Sequence, residues 1–490
     1  MKYSKIVFSS LFALAIVTSC KKVLDVKETD FIGGDIALKT VENNEQGLIG
    51  GYAMLSTEMA ILHNAVFADE VKVGEFYNST TVHEWQYTST DITLRDNYTA
   101  FGLYYRVIDR VNRVLQALPN SDSTRVGDNT LRSRIRGEAL FIRAFAHFEL
   151  YRYYSGATDP NALAVAYMET PSLQPQARMK VGPFFDKLKA DLAEAKNLVV
   201  ADVPTTEALA VRANKTAVSG LQARVALYMK DWDNAITFST EYINAKPLAS
   251  RADFPGIWTD ANVAEVAFKL KRTTAASGYI NVNPIATSRM GSLFRATSAN
   301  TSNIGTVTWQ PSDKLWNSYD QTNDIRFASY LIDEPFLTAA GRESRIIHKY
   351  AGTGYGTAAE NVADAKVFRT GEMYLIRAEA KAEKGDLSGA ADDINALRAA
   401  RITGYTSVAF GSKEEAIEAI IQERFKELAF EGHRFWDLRR RNLPVVRTGD
   451  DAPSATGTTL PAGNFRFVLP IPNVEIQANP LMEQNTGYTN

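Results

Sequence analysis

The sequence predicts a mainly α-helical fold, in which paired helices form a scaffold and a loop-rich stretch is inserted between two of the pairs. Three observations carry that prediction. Apolar residues recur at three- and four-residue steps over long windows, two stretches have the form helix–turn–helix, and between about 246 and 365 that periodicity fades.

The first element is a leader. Lys2 and Lys5 precede an apolar run from Ile6 to Val17, and Val17-Thr18-Ser19 stand before Cys20. A basic flank, a short apolar core and small residues at a cut site describe a secretory signal. The run is too short for a bilayer, which takes about 20 apolar residues. Small residues directly before the cysteine resemble a bacterial lipobox, so residues 1–19 are expected to be removed and Cys20 to be acylated. An ordinary signal with an incidental cysteine is the alternative. Each buried acyl CH₂ contributes about 0.8 kcal/mol, enough for several chains to hold a soluble body on a membrane.

Residues 20–45 are polar and acidic-leaning, which suits an arm, and residues 46–490 are expected to form one globular domain. Residues 98–118 carry a helical stripe (Tyr98, Phe101, Tyr105, Ile108, Val111, Leu115) that ends at Pro119-Asn120. Further helices are expected over 131–154 and over 181–199, the latter opening at Val181-Gly182-Pro183.

The two pairs run from Thr216 to Ala245, turning at Asp231-Trp232-Asp233, and from Thr370 to Ala400, turning at Lys384-Gly385-Asp386. Small residues (Ala223, Ala226; Ala378, Ala380) sit where helices must approach closely, and the spacing from Ala235 to Pro247 is that of tetratricopeptide repeats. Lying far apart, the two diverged copies cannot make a regular solenoid; plain helical hairpins are the alternative reading. A last long helix is expected over 414–430. In the inserted stretch β-like runs appear at Val263 to Leu270 and Ile346 to Tyr350.

Cys20 is the only cysteine among 490 residues, so there is no internal disulfide and no cysteine-based metal site. With 45% hydrophobic residues the body can bury one large core or two smaller ones. Net charge is −2 before the leader takes away Lys2 and Lys5, which favours neither nucleic acid nor anionic lipid.

The segment Glu423-Arg424, Glu427-Leu428-Ala429-Phe430-Glu431-Gly432, Arg434 and Asp437-Leu438 with Arg440 closely resembles a signature of the SusD/RagB family, the nutrient-binding outer-membrane lipoproteins of Bacteroidetes. So does the tail, Pro470-Ile471-Pro472, Glu475, Asn479-Pro480, Gln484-Asn485 and Gly487-Tyr488. Met373 to Ala380, Asn395 to Arg398, Arg143-Ala144-Phe145 and Leu24-Asp25 after the cysteine follow the same order. The resemblance implies a SusD-like fold and a surface-exposed, lipid-anchored protein that binds a glycan. It also implies a partner, a SusC-like TonB-dependent β-barrel transporter that receives the ligand. An oligopeptide is the alternative cargo. Within the signature, Arg434 and Arg439 are expected to pair with carboxylates and lock helices rather than touch ligand.

Sugars show flat C–H faces edged by hydroxyls, which Trp and Tyr rings and Asn, Asp or Arg side chains suit. Two places combine these groups. One is Glu84-Trp85-Gln86-Tyr87 with Asp96-Asn97-Tyr98, just ahead of the first long helix, where the resemblance implies a site wall. The other is Tyr279, Trp309, Trp316 and Tyr319, beside Asn281, Asn283, Asp320 and Arg326. For each ring, burial in the core is the competing reading. Trp232 and Trp436 are expected to pack helices.

Catalysis is not expected. The five histidines (His63, His83, His147, His348, His433) lack metal-ligand spacing, and no nucleophile elbow or phosphate loop occurs. Gly352-Thr353-Gly354-Tyr355-Gly356 is a flexible turn rather than a phosphate cradle. Acidic residues are too plentiful for any one pair to mark a glycosidase. No cofactor or metal is implied. A peptide-binding scaffold remains a further reading, because tetratricopeptide-like pairs offer concave faces.

Overall fold

The computed structural model describes residues 37–75, 81–201, 205–274, 289–302 and 307–488. Its helices follow the sequence periodicity closely. Helix α1 (Val41–Met54) opens on a capping box: Thr40 Oγ1 accepts from the Asn43 amide at 3.1 Å, and Asn43 Oδ1 accepts from the Thr40 amide at 3.3 Å. Val41 and Asn44 are fully buried, so the last residues of the expected arm already belong to the scaffold. Helix α2 (Glu58–Phe67) is buried all round, which is why it shows no stripe.

Helix α3 (Phe101–Ala117) is amphipathic and packs on α4 (Asp128–Tyr154), which is buried on every side from Gly137 onward. Helix α5 (Val181–Leu198) lies against α4. The two pairs are α6 (Lys215–Met229) with α7 (Trp232–Ala245), and α8 (Thr370–Glu383) with α9 (Leu387–Arg401). They turn as the sequence suggests. Asp231 and Asp386 cap the second helices, accepting from the amides of Asn234 and Gly389 at 3.3 and 2.9 Å, and Gly385 takes φ +84°. Helices α7 and α8 pack together, so the two pairs join in one layer despite their separation in sequence.

Helix α10 (Lys413–Glu427) and the short α11 (Arg434–Arg440) complete the scaffold. The described strands are short: β1 (Val71–Val73), β2 (Val266–Leu270), β3 (Trp309–Pro311), β4 (Leu331–Asp333), β5 (Arg345–Ile347), β6 (Ala365–Arg369), β7 (Val445–Val446) and β8 (Thr459–Leu460). They pair antiparallel as β1–β3, β2–β6, β4–β5 and β7–β8. The β2–β6 pair, with Leu270 opposite Ala365, closes the neck of the inserted subdomain and feeds directly into α8.

A buried ionic hub ties insert to scaffold. Glu427 on α10 takes Arg326 at 3.2 Å, Arg369 at 3.0 Å and Arg401 at 3.1 Å. Glu423 takes Arg326 at 2.6 Å, Glu431 takes Arg369 at 2.6 Å, and Glu265 takes Arg401 at 2.6 Å. Burial alone would raise the Glu427 carboxyl, but the three guanidiniums hold it well below the usual carboxylate range. Lost partners would strand charge in the core, so this hub tolerates no half-measures. The charged residues of the signature are therefore structural.

Candidate functional site

The rings singled out in the sequence lie inside. Trp85 is buried at φ +59°, donates its indole N–H to the Phe67 carbonyl at 3.0 Å, and carries the Arg447 guanidinium 4.3 Å above its ring. Tyr87 is buried, donates to the Arg466 carbonyl at 2.8 Å and packs on Phe67. Tyr98 meets Phe67 edge-on at 5.5 Å. Trp309 sits in β3 opposite Val73, next to His83. Trp316 packs edge-on against Phe327 at 4.8 Å, and Tyr319 donates to the Lys426 carbonyl at 2.8 Å. All six are buried in the core, which is the competing reading of each ring, and none is exposed as a flat platform in this structure.

The physical reason is that a ring with a polar tip fills a core well when a backbone carbonyl takes its hydrogen. Arg326 is likewise spent on the hub. Cys20, Tyr279, Asn281 and Asn283 lie outside the described residues, as does the side chain of Asn97. Trp436 is fully buried against His63 and Tyr153, as expected of a helix-packing residue. Arg434 pairs with Asp69, whereas Arg439 donates to the carbonyls of Arg152 and Phe467 instead of to a carboxylate.

What the structure brings together is a rim on the inserted subdomain. β1 ends at Val73, two residues before Glu75, beside β3, and β3 in turn packs on β5. Arg342 joins the rim's loops: its guanidinium donates to Glu75 Oε2 at 2.7 Å and to the Thr301 carbonyl at 3.0 Å. Close by, Tyr355 and Phe336 meet edge-to-face at 5.8 Å, both half-buried. Tyr355 donates to Glu334 Oε2 at 2.9 Å, and the Arg295 guanidinium lies 3.6 Å from its ring centre. Burial, then Glu334, raises the Tyr355 hydroxyl above its ordinary value, so it stays a donor.

These side chains give a partly exposed apolar surface edged by an amphoteric set of hydrogen-bonding groups. Sequence reasoning passed over Tyr355 and Phe336. An aromatic flanked by Gly354 and Gly356 was the available signal, because such a turn can hold a ring at the surface.

Each histidine is pushed down by burial, His147 to about 3 and His348 to about 4, and is neutral at ordinary pH. The carboxyl pushed furthest up, Glu70 at about 8, is buried and accepts from the Phe430 amide at 3.1 Å. Among the described residues no group of three or more His, Cys, Asp and Glu could hold a metal ion.

Comparison with known proteins agrees with this architecture. A model of the SusD family matches residues 295–488, and a second, described as starch-binding and associating with the outer membrane, matches residues 28–227. SusD-like protein P38 of Formosa agariphila is 23% identical over 537 residues, covering 99% of each chain. SusD-like protein P2 of the same organism is 24% identical over 529 residues, covering all of both.

A SusD superfamily protein of Bacteroides thetaiotaomicron superposes with a TM-score of 0.76 at 24% identity, over 91% of this chain and 99% of its own. A laminarin-binding SusD-like protein superposes with a TM-score of 0.71 at 18% identity, over 92% and 100%. Such likenesses to solved structures share the fold. With one family model on the N-terminal half of the scaffold and another on the C-terminal half, this chain belongs to the SusD/RagB family.

Proposed function

We propose that this protein is a lipid-anchored, surface-exposed lipoprotein of the outer membrane. It binds a glycan without transforming it and passes it to a TonB-dependent β-barrel transporter. The observation that carries the binding step is the rim: half-buried Tyr355 and Phe336 beside Glu334, Arg342 and Glu75, carried on loops of a rigid helical scaffold. The family's starch-binding description, and the laminarin binding of one structural neighbour, support a glycan as the ligand. The leader ending at Cys20 supports the anchor. That description also supports the outer membrane as the place.

An open rim of this kind suits weak binding. A sugar held near millimolar has about −4 kcal/mol of binding free energy. Tethering beside a transporter raises the effective concentration and makes such an affinity sufficient. Neutral histidines and an inward-facing Glu70 support a role without chemistry.

The test is a glycan and peptide array probed with the full chain, with product analysis on every glycan retained. Retention of glycans unchanged is the expected result. Retention of peptides alone would replace the glycan with an oligopeptide, and steady release of shortened glycan would make the protein an enzyme. Co-purification from native membranes, with mass spectrometry, should return a large TonB-dependent barrel.

A further inference from the structure

A cavity lies away from the rim, beside α3. It holds about 360 Å³, within the range of recognition pockets. Three walls form it: Phe101, Tyr105 and Asn112 on α3, the extended segment through Leu173, and the C-terminal tail from Glu475 to Met482. Hydrogen bonds fix the walls in place. Tyr105 donates to the Ala166 carbonyl at 2.9 Å, Asn112 to Met168 at 2.8 Å, and Asn479 to Gln176 at 2.8 Å. A second cavity of about 120 Å³, under Leu94 and Pro470, adjoins along the same tail.

Two features set this face apart. Large exposed aliphatic side chains mark it: Leu173 of the first lining is 96% exposed and Val474 of the second 54%, while Ile92 and Leu481, each next in sequence to a lining residue, are 64% and 51% exposed. Scattered exposed apolar residues are ordinary, but four around two adjoining cavities make a patch of the kind that marks protein contact. The second feature is charge. The lining of the first cavity holds Asp109 and Glu475 and no lysine or arginine, while Asp91 and Arg95 line the second. Asp109 is paired with Arg113. The half-buried Glu475 carboxylate has no hydrogen-bond or ionic partner among the described residues, and burial raises it with no opposing charge. An unpaired carboxylate that still reaches solvent is open to a basic group brought by a partner.

We infer that this groove is the surface by which the chain docks its transporter, receiving a polypeptide loop that sets a lysine or arginine against Glu475 between apolar residues seated on Leu173, Val474 and Met482. The inference rests on the proposed delivery role and adds the contact surface to it. A basic anchor inside an apolar ring is the usual make-up of an interface centre.

The test uses the full lipoprotein in detergent and the barrel identified by co-purification. Leu173→Asp and Glu475→Arg should each weaken barrel binding at least tenfold and leave binding on the glycan array unchanged, with the exposed Val126→Asp as a neutral control. Unchanged barrel affinity in both variants overturns the inference and leaves the delivery role standing. Lost glycan binding with barrel affinity intact overturns it in favour of a second sugar site. A wild-type dimer that Leu173→Asp dissolves overturns it in favour of a second copy. A wild-type chain that holds no barrel removes the delivery role itself, and this inference with it.

Discussion

Arg434 grips Asp69 through two parallel hydrogen bonds, Nε to Oδ1 at 2.7 Å and Nη2 to Oδ2 at 2.9 Å, with both side chains buried. The pair joins α11 to a residue two positions before β1, and so ties the signature segment to the strand that leads to the rim. Burial works to raise the Asp69 carboxyl, but Arg434 and then Lys314 hold it well below the usual range. Arg434→Ala leaves that buried carboxylate with Lys314 as its one remaining cation. A loss of about 3–5 kcal/mol is expected in chemical denaturation. An unshifted curve would mean the pair contributes nothing. Because the folded carboxyl is depressed, its stabilisation is present above the unfolded value near 4 and is lost as pH falls further.

Glu70 behaves in the opposite sense. Burial pushes it up from 4.5 to about 8, so the folded chain keeps a proton that the unfolded chain has released. Its contribution is fully present below about 4.5 and is lost as pH rises through about 8. Glu70→Gln keeps an acceptor for the Phe430 amide and removes the titration. Melting curves from pH 5 to 9 should show the variant gaining on the wild type by a few kcal/mol up to pH 8 and then running parallel. A constant difference across that range would refute this account.

Trp85→Ala should cost about 3–5 kcal/mol, the usual effect of emptying a large buried side chain. Its indole is bonded to Phe67 and covered by Arg447, so the damage should appear in the melting temperature. In folded variant protein, glycan affinity should match the wild type. Lost affinity at unchanged stability would return Trp85 to the binding site.

Tyr355→Ala should do the reverse. The ring is half-buried at the rim, so its removal is expected to weaken glycan binding about tenfold, about 1.4 kcal/mol, with a melting shift of a few degrees at most. Isothermal titration with a glycan retained on the array decides it, and equal affinity in the variant would move the site off this rim.

Cys20→Ala should release the protein from the membrane fraction, because the acyl chains would have no attachment point. Fractionation of cells expressing the variant is the readout. Retention equal to the wild type would show that something other than Cys20 holds the chain.

The sequence by itself determined the helices and their pairing. The stripe on α3, the aspartate caps at Asp231 and Asp386, and the small residues in α6 and α8 are local signals with local causes, and each element lies where its residues require. The charged signature was legible as scaffold for a similar reason: so many arginines and glutamates in one segment must find one another. Which aromatic rings are buried was decided only by the tertiary structure. Trp85 and Tyr355 read alike in a sequence, because whether a ring faces core or solvent depends on which carbonyls and guanidiniums distant segments bring to it. The buried helix α2 escaped for the complementary reason, since a helix covered on all sides has no face to alternate with. Chain order fixes what can form locally, and only packing fixes what remains exposed to bind.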